Sequence, residues 1–190
     1  MVIDVPLEST NTILDYLEKN ELVLKKIILT HGHYDHIAEA GLLSQKTKAI
    51  ILMHENDADY LSDVDKHQRI FSMVGEAFYA NFLPQQADLL LQHGDIINFG
   101  TQELKVLHTP GHTQGGICIV HEDSKSVFVG DTLFAGSIGR TDLPGGDLKQ
   151  LISSIKENLL VLENDFLVLT GHGDKTTIGN EKIINGYLAT

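Results

Sequence analysis

The chain has 190 residues, of which 42% are hydrophobic and 21% charged; 14 Lys plus Arg face 26 Asp plus Glu, for a formal net charge of −12. This is about one domain's length, enough for a substantial core, and the composition argues against disorder. The acid excess disfavours a nucleic-acid-binding face, no apolar run reaches the ~18 residues that span a bilayer, and no charged-then-apolar leader opens the chain.

No repeat, low-complexity stretch or Pro/Gly/Ser linker interrupts the chain, so residues 1–190 read as a single domain. A short apolar piece, Val2-Ile3-Asp4-Val5, comes first. Ser9 or Thr10 can cap a helix whose apolar face is Ile13, Leu14 and Leu17. Leu22 to Leu29 reads as a buried strand ending at Thr30, followed by a histidine-rich loop and a helix over about 36–45. Ala49 to Met53 is a further strand and Glu55 to Leu61 a short helix; residues 64–90 are helical in part, with Pro84 as a break.

The pattern then changes to short strands and turns. Gly94-Asp95 and Gly100 bracket Ile96-Ile97, and Leu104 to Leu107, Gly116 to Val120 and Val127 to Val129 follow at close spacing. A glycine-rich loop, Gly136 to Gly146, leads into an amphipathic helix over about 147–163, with Leu148, Leu151, Ile152, Ile155 and Leu159 on one face. Phe166 to Leu169 is a last strand and Glu181 to Leu188 a closing helix. Mixed helices and clustered strands predict a layered α/β protein with sheets between helices.

The chemistry is concentrated in Thr30-His31-Gly32-His33-Tyr34-Asp35-His36, directly after a buried strand. In an extended segment His31 and His33 point to one side, while Asp35 and His36 fall where a helix begins and are aimed another way. One loop can therefore serve two adjacent metal ions, and imidazole with carboxylate suits zinc, iron or manganese. Three more loops end strands with a candidate ligand beside a small residue: His112 after Thr109-Pro110-Gly111, Asp131 after Gly130, and His172 between Gly171 and Gly173. Together the four loops offer five His and two Asp.

His108 reads as structural, and His54, His67, His93 and His121 as surface or packing positions. The single cysteine, Cys118, forms no internal disulfide, sits in an apolar strand as a small core residue, and fits a reducing, cytoplasmic setting. Arg140, in the glycine-rich loop after Asp131, either clamps a substrate carboxylate or pairs with Asp142.

In order and approximate spacing these motifs resemble the metallo-β-lactamase superfamily over nearly the whole chain. The run from Gly130 to Asp142 and Thr176-Thr177-Ile178-Gly179 are similar to its glyoxalase II-like (hydroxyacylglutathione hydrolase-like) branch. The resemblance implies an αββα sandwich. It implies one metal on His31, His33 and His112, a second on Asp35, His36 and His172, and Asp131 bridging them, with two divalent ions, zinc foremost and iron or manganese accepted. It implies a thioesterase, cleaving S-lactoylglutathione or a related hydroxyacyl-thiol by attack of a metal-bridging hydroxide, with Asp35 both ligating and orienting that hydroxide. A thiolate of pKa ~8.5 leaves without a strong general acid.

Two departures from the branch stand out. The family's opening β-hairpin is missing before Ile3-Asp4, and its Asp-Pro-Gly turn reads Asp4-Val5-Pro6, as in an N-terminally truncated form. An open sheet edge then favours a homo-oligomer. Only 18 residues follow His172, too few for the helical domain that helps glutathione-specific enzymes bind their thiol. The alternatives are a persulfide dioxygenase with one iron on His31, His112 and Asp131, and a non-catalytic truncated remnant. A zinc β-lactamase is disfavoured because no cysteine stands near Asp131.

Overall fold

The computed structural model describes residues 1–70 and 82–188. Their packing groups the chain into two compact units, Met1–Leu90 and Leu91–Thr190. Each unit has its own buried apolar cluster.

The first unit is built from parallel βαβ turns. Strand β1 (Val2–Ile3) leads through helix α1 (Thr10–Lys19) to β2 (Lys26–Ile28). Helices α2 (Tyr34–Ile37) and α3 (Ala40–Thr47) lead on to β3 (Ile50–His54). A 3-10 turn (Glu55–Asp57), α4 (Asp59–Ser62) and α5 (Val64–Ile70) follow, and β4 (Leu89–Leu91) completes a sheet of order β1-β2-β3-β4. Both β1–β2 and β2–β3 are parallel, with Ile3 beside Ile28 and Ile28 beside Leu52. Parallel strands covered on both faces need continuous apolar runs, and Ile27, Ile28, Leu29, Ile51, Leu52 and Met53 are all buried.

Several boundaries differ from the sequence reading. The strand expected from Leu22 shrinks to Lys26–Ile28, because Leu22 and Val23 lie exposed before it pairs. The helix expected over 36–45 is two helices, α2 and α3, with a break at Ala38–Glu39. Part of the 64–90 stretch is helical, as α5; residues 71–81 lie outside the described residues.

The cap of α1 also comes from elsewhere. The Ser9 hydroxyl donates to the Pro6 carbonyl at 2.6 Å. The buried Glu39 carboxylate instead accepts the Thr10 amide at 2.8 Å and the Glu8 amide at 2.9 Å. Burial alone would raise this carboxyl, but the amides of Thr10, Glu8 and Ser9 hold it below its ordinary 4.5. A carboxyl lowered by folding stabilises the native state above 4.5 and loses that contribution as pH falls through its folded-state value. Acid unfolding of Glu39→Gln should therefore show a shallower fall in stability below pH 4.5 than the native chain. Denaturant midpoints measured across this range check it, and parallel curves would refute the cap.

The second unit carries a six-stranded sheet of order β12-β11-β8-β7-β6-β5. Its strands are β5 (Ile96–Phe99), β6 (Gln102–His108), β7 (Ile117–His121), β8 (Ser126–Gly130), β11 (Leu167–Thr170) and β12 (Thr176–Thr177). The glycine-rich loop contains a small hairpin, β9 (Leu133–Phe134) with β10 (Ser137–Ile138). Helix α6 (Leu148–Ser154) starts at Asp147, whose side chain accepts the Gln150 amide at 3.0 Å, and continues as a π turn (Ile155–Leu159). Leu151, Ile155 and Leu159 on this run are buried against Val120, Val127, Val129 and Val168, whereas Leu148 is exposed. Helix α7 (Ile178–Ile184) follows β12.

Strand direction in this sheet decides where the ligands fall. β6 and β8 are both antiparallel to β7, so they run the same way, and β11 is parallel to β8. The loops after β6, β8 and β11 therefore leave the same edge of the sheet. Among the described residues no helix is long and apolar enough to cross a membrane.

Candidate metal centre

In the first unit the ligand-rich loop leaves the carboxyl end of β2, the end where open parallel sheets characteristically bind. His33 is extended (φ −72°, ψ 146°) and precedes α2, so His31 and His33 lie on extended backbone while Asp35 and His36 lie on the helix. The structure brings the three rings together: the centroids of His31 and His33 are 4.8 Å apart and those of His31 and His36 4.1 Å. All three histidines are buried. The Asp35 carboxylate is about one-third exposed, with Oδ2 at 3.9 Å from His36 Nε2.

Asp4 organises this cluster, a role that sequence reasoning missed. Its Oδ2 is 2.7 Å from His36 Nδ1 and accepts the Thr30 hydroxyl at 2.8 Å, and its Oδ1 accepts the Thr30 amide at 2.7 Å. Thr30 Oγ1 is in turn 3.1 Å from His31 Nδ1. A carboxylate on Nδ1 leaves the Nε2 lone pair of His36 available to a metal ion. The register places Asp4 there: β1 runs parallel beside β2, and the Asp4 amide donates to the Ile28 carbonyl at 2.9 Å. Asp4 takes a left-handed conformation (φ 59°), which a short polar side chain tolerates. The available signal was a carboxylate ending an apolar piece that could pair beside the ligand loop.

In the second unit His112, Asp131 and His172 converge from the loops after β6, β8 and β11. Asp131 Oδ2 is 3.7 Å from His112 Nε2 and 3.7 Å from His172 Nε2. Thr170 pairs with Gly130 across the parallel β8–β11 ladder, and the Gly171 amide donates to the Gly130 carbonyl at 2.7 Å. That contact sets the residue after Gly130 beside the one after Gly171. The side chains of Asp131 and His112 are mostly buried and that of His172 is half-exposed.

The glycine-rich loop sets the His112 tautomer through its backbone. His112 Nδ1 donates to the Arg140 carbonyl at 2.7 Å, which leaves Nε2 as the acceptor facing Asp131. Gly139 permits this fold-back: a Cβ there would strike the Asp131 carbonyl and stand 3.0 Å from His112 Nδ1. The Arg140 guanidinium makes a bidentate pair with Asp142, both contacts 2.8 Å, and is exposed.

The donor chemistry in each unit fits divalent metal. Distances of 3.7 Å between imidazole nitrogen and carboxylate oxygen are too long for hydrogen bonds and short enough for shared coordination. Among the other histidines, His54 and His67 are buried packing residues, while His108 Nε2 bonds the Gln114 carbonyl at 2.9 Å. Cys118 is fully buried, and burial pushes its thiol up to about 11, as suits a core residue.

Residues 3–172 match the family described as the metallo-beta-lactamase superfamily. An uncharacterized protein of Aquifex aeolicus is 41% identical over 162 residues, 85% of this chain and 74% of that one. The Haemophilus influenzae protein named hydroxyacylglutathione hydrolase GloC is 38% identical over 177 residues, 93% of this chain and 81% of that one. Among solved structures, the BLEG-1 B3 metallo-beta-lactamase superposes with a TM-score of 0.88 at 32% identity, covering 100% of this chain and 88% of that one. TTHA1623 in a di-iron-bound form gives 0.82 at 33% identity, covering 98% and 88%. The α/β fold anticipated from the sequence is the one these neighbours share, and by the extent of the family match the chain belongs to the metallo-beta-lactamase superfamily.

Proposed function

We propose that this chain is a dinuclear metal-dependent thioester hydrolase acting on S-lactoylglutathione or a related hydroxyacyl-thiol. The observation that carries the hydrolase reading is the convergence of His112 and His172 on one Asp131 oxygen. The thioester is supported by similarity to the Haemophilus influenzae hydroxyacylglutathione hydrolase.

His31, His33 and His112 would hold one ion, Asp35, His36 and His172 the other, and Asp131 would bridge. When bound, divalent ions of this kind lower the pKa of water toward neutrality and offset charge developing on a carbonyl oxygen. The protein supplies orientation and proton handling. Asp4 and the Arg140 carbonyl fix Nδ1–H on His36 and His112, so their Nε2 lone pairs stay available. Asp35, about one-third exposed, would orient an attacking water and accept its proton. The leaving thiolate needs no strong acid.

The test is elemental analysis of protein purified without chelator, followed by a thiol-release assay on a hydroxyacyl thioester. Two metals per chain and turnover that a chelator abolishes and metal restores are expected. Preferential hydrolysis of a β-lactam would overturn the substrate class, and metal-free, inactive protein would leave a non-catalytic remnant. The second reading, a persulfide dioxygenase with one iron on His31, His112 and Asp131, is supported by similarity to the ETHE1 structure from Myxococcus xanthus, with a TM-score of 0.77 at 30% identity over 97% of this chain and 72% of that one. One iron per chain with oxygen consumed on a persulfide would establish it.

A further inference from the structure

Behind His31-Gly32-His33 lies a stretch, Glu55–Ser62, that the reaction as described does not use. Its Asp57 is buried, and Oδ2 accepts the Gly32 amide at 2.8 Å across 25 residues of sequence. Its Tyr60 forms the wall against which Gly32 rests. A Cβ at Gly32 would stand 2.8 Å from Tyr60 Cβ and collide with the ring carbons Cγ and Cδ2. The ring of His33 meets Tyr60 edge-on, with centroids 6.2 Å apart.

Tyr60 is itself fixed. Its carbonyl is 2.7 Å from Nε2 of the buried His67, and Lys66 Nζ lies 3.9 Å over its ring. Burial, with the Asp57 charge, pushes the Tyr60 hydroxyl up to about 12, so a neutral phenol stands beside the carboxylate.

This arrangement answers a local problem. The close approach to Tyr60 requires glycine between the two histidines. Glycine is the residue with the freest backbone, and a rotation about it would swing the flanking imidazoles apart. The constraint lost with the Cβ must come from outside the loop. We propose that Asp57 is a positioning residue for metal binding: by taking the Gly32 amide against Tyr60, it fixes the spacing of His31 and His33. The inference rests on the reading of those two histidines as ligands.

Two substitutions separate geometry from charge. Asp57→Asn keeps an acceptor oxygen at the same reach and removes the charge. Asp57→Glu keeps the charge and moves the acceptor by one methylene. Zinc affinity is measured by competition with a chromogenic chelator, and Gly32 amide exchange is followed by NMR on metal-free protein. Asp57→Asn should stay within about 3-fold of the native affinity, whereas Asp57→Glu should weaken zinc by 10–100-fold, the usual effect of losing an outer partner of a ligand. The Gly32 amide should exchange slowly in the native chain and in Asp57→Asn, and fast in Asp57→Glu.

Native affinity in both variants, or an equal loss in both, overturns the proposal while leaving the ligand reading intact. No zinc binding by the unaltered chain overturns both. Should Asp57→Glu fail to fold, Asp57→Asn decides: a loss beyond about 10-fold, or a fast-exchanging Gly32 amide, refutes positioning by this acceptor, and retained affinity with slow exchange supports it.

Discussion

On the proposed dinuclear reading, Asp131→Ala lowers kcat and kcat/KM for the proposed thioester substrate by at least about 100-fold, because even outer partners of metal ligands are worth 10–100-fold, and it reduces bound metal in the same preparation. The Asp131 carboxylate faces both imidazoles of the second unit, at 3.7 Å each. Deleting it removes the carboxylate that faces both histidines, and the two cations of the proposed centre would then repel without its charge. An interaction made throughout the reaction affects binding of metal and rate together, so kcat falls rather than KM alone rising. Elemental analysis and steady-state kinetics on one sample read both effects. Unchanged activity at full metal content would sink the dinuclear mechanism. Asp131→Asn, which keeps one oxygen and loses the charge, should fall between the two.

Glu181→Ala destabilises the fold by about 3 kcal/mol, on the scale of 1–3 kcal/mol for each buried polar group left unpaired. Glu181 is fully buried on α7. Its carboxylate accepts the Gly136 amide at 2.9 Å, the Thr176 hydroxyl at 2.7 Å and the Asn185 side-chain amide at 2.8 Å. Asn185 also donates to the Ser137 carbonyl at 2.9 Å, so α7 grips the β9–β10 hairpin at two points. For a chain of this length the loss corresponds to a fall in Tm of roughly 6–12 °C. Calorimetry checks it, with Glu181→Gln as the partial rescue because it keeps one acceptor. A change below about 1 kcal/mol would mean that water replaces the carboxylate at these donors. The same hairpin leads into Gly139 and Arg140, whose carbonyl holds His112, so a smaller loss of metal affinity should accompany the loss of stability.

Much of the secondary structure was legible because each element carries its own periodicity. Ile13, Leu14 and Leu17 do pack on the first unit's core, and Leu151, Ile155 and Leu159 on the second's. Ends of elements were less legible. Leu22 and Val23 are apolar and yet exposed, since hydrophobicity alone does not say where a strand finds its partner. β4, the β9–β10 hairpin and β12 went unread because two- and three-residue strands hold too few side chains to show a period.

By itself the sequence determined the donor types and their local settings. Histidine and aspartate stand beside small residues at strand ends, and an i, i+2 pair precedes an acid and a histidine on a helix, because those features are short-range and written in consecutive residues. The tertiary structure alone decided what holds the donors. Asp4 reaches His36 through the parallel register of β1 and β2, Asp57 reaches Gly32 from the turn after β3, and the Arg140 carbonyl reaches His112 by way of a hairpin. These contacts join residues 25 to 32 positions apart. No local propensity encodes a contact at that separation; strand pairing and the exclusion of water from buried polar groups do.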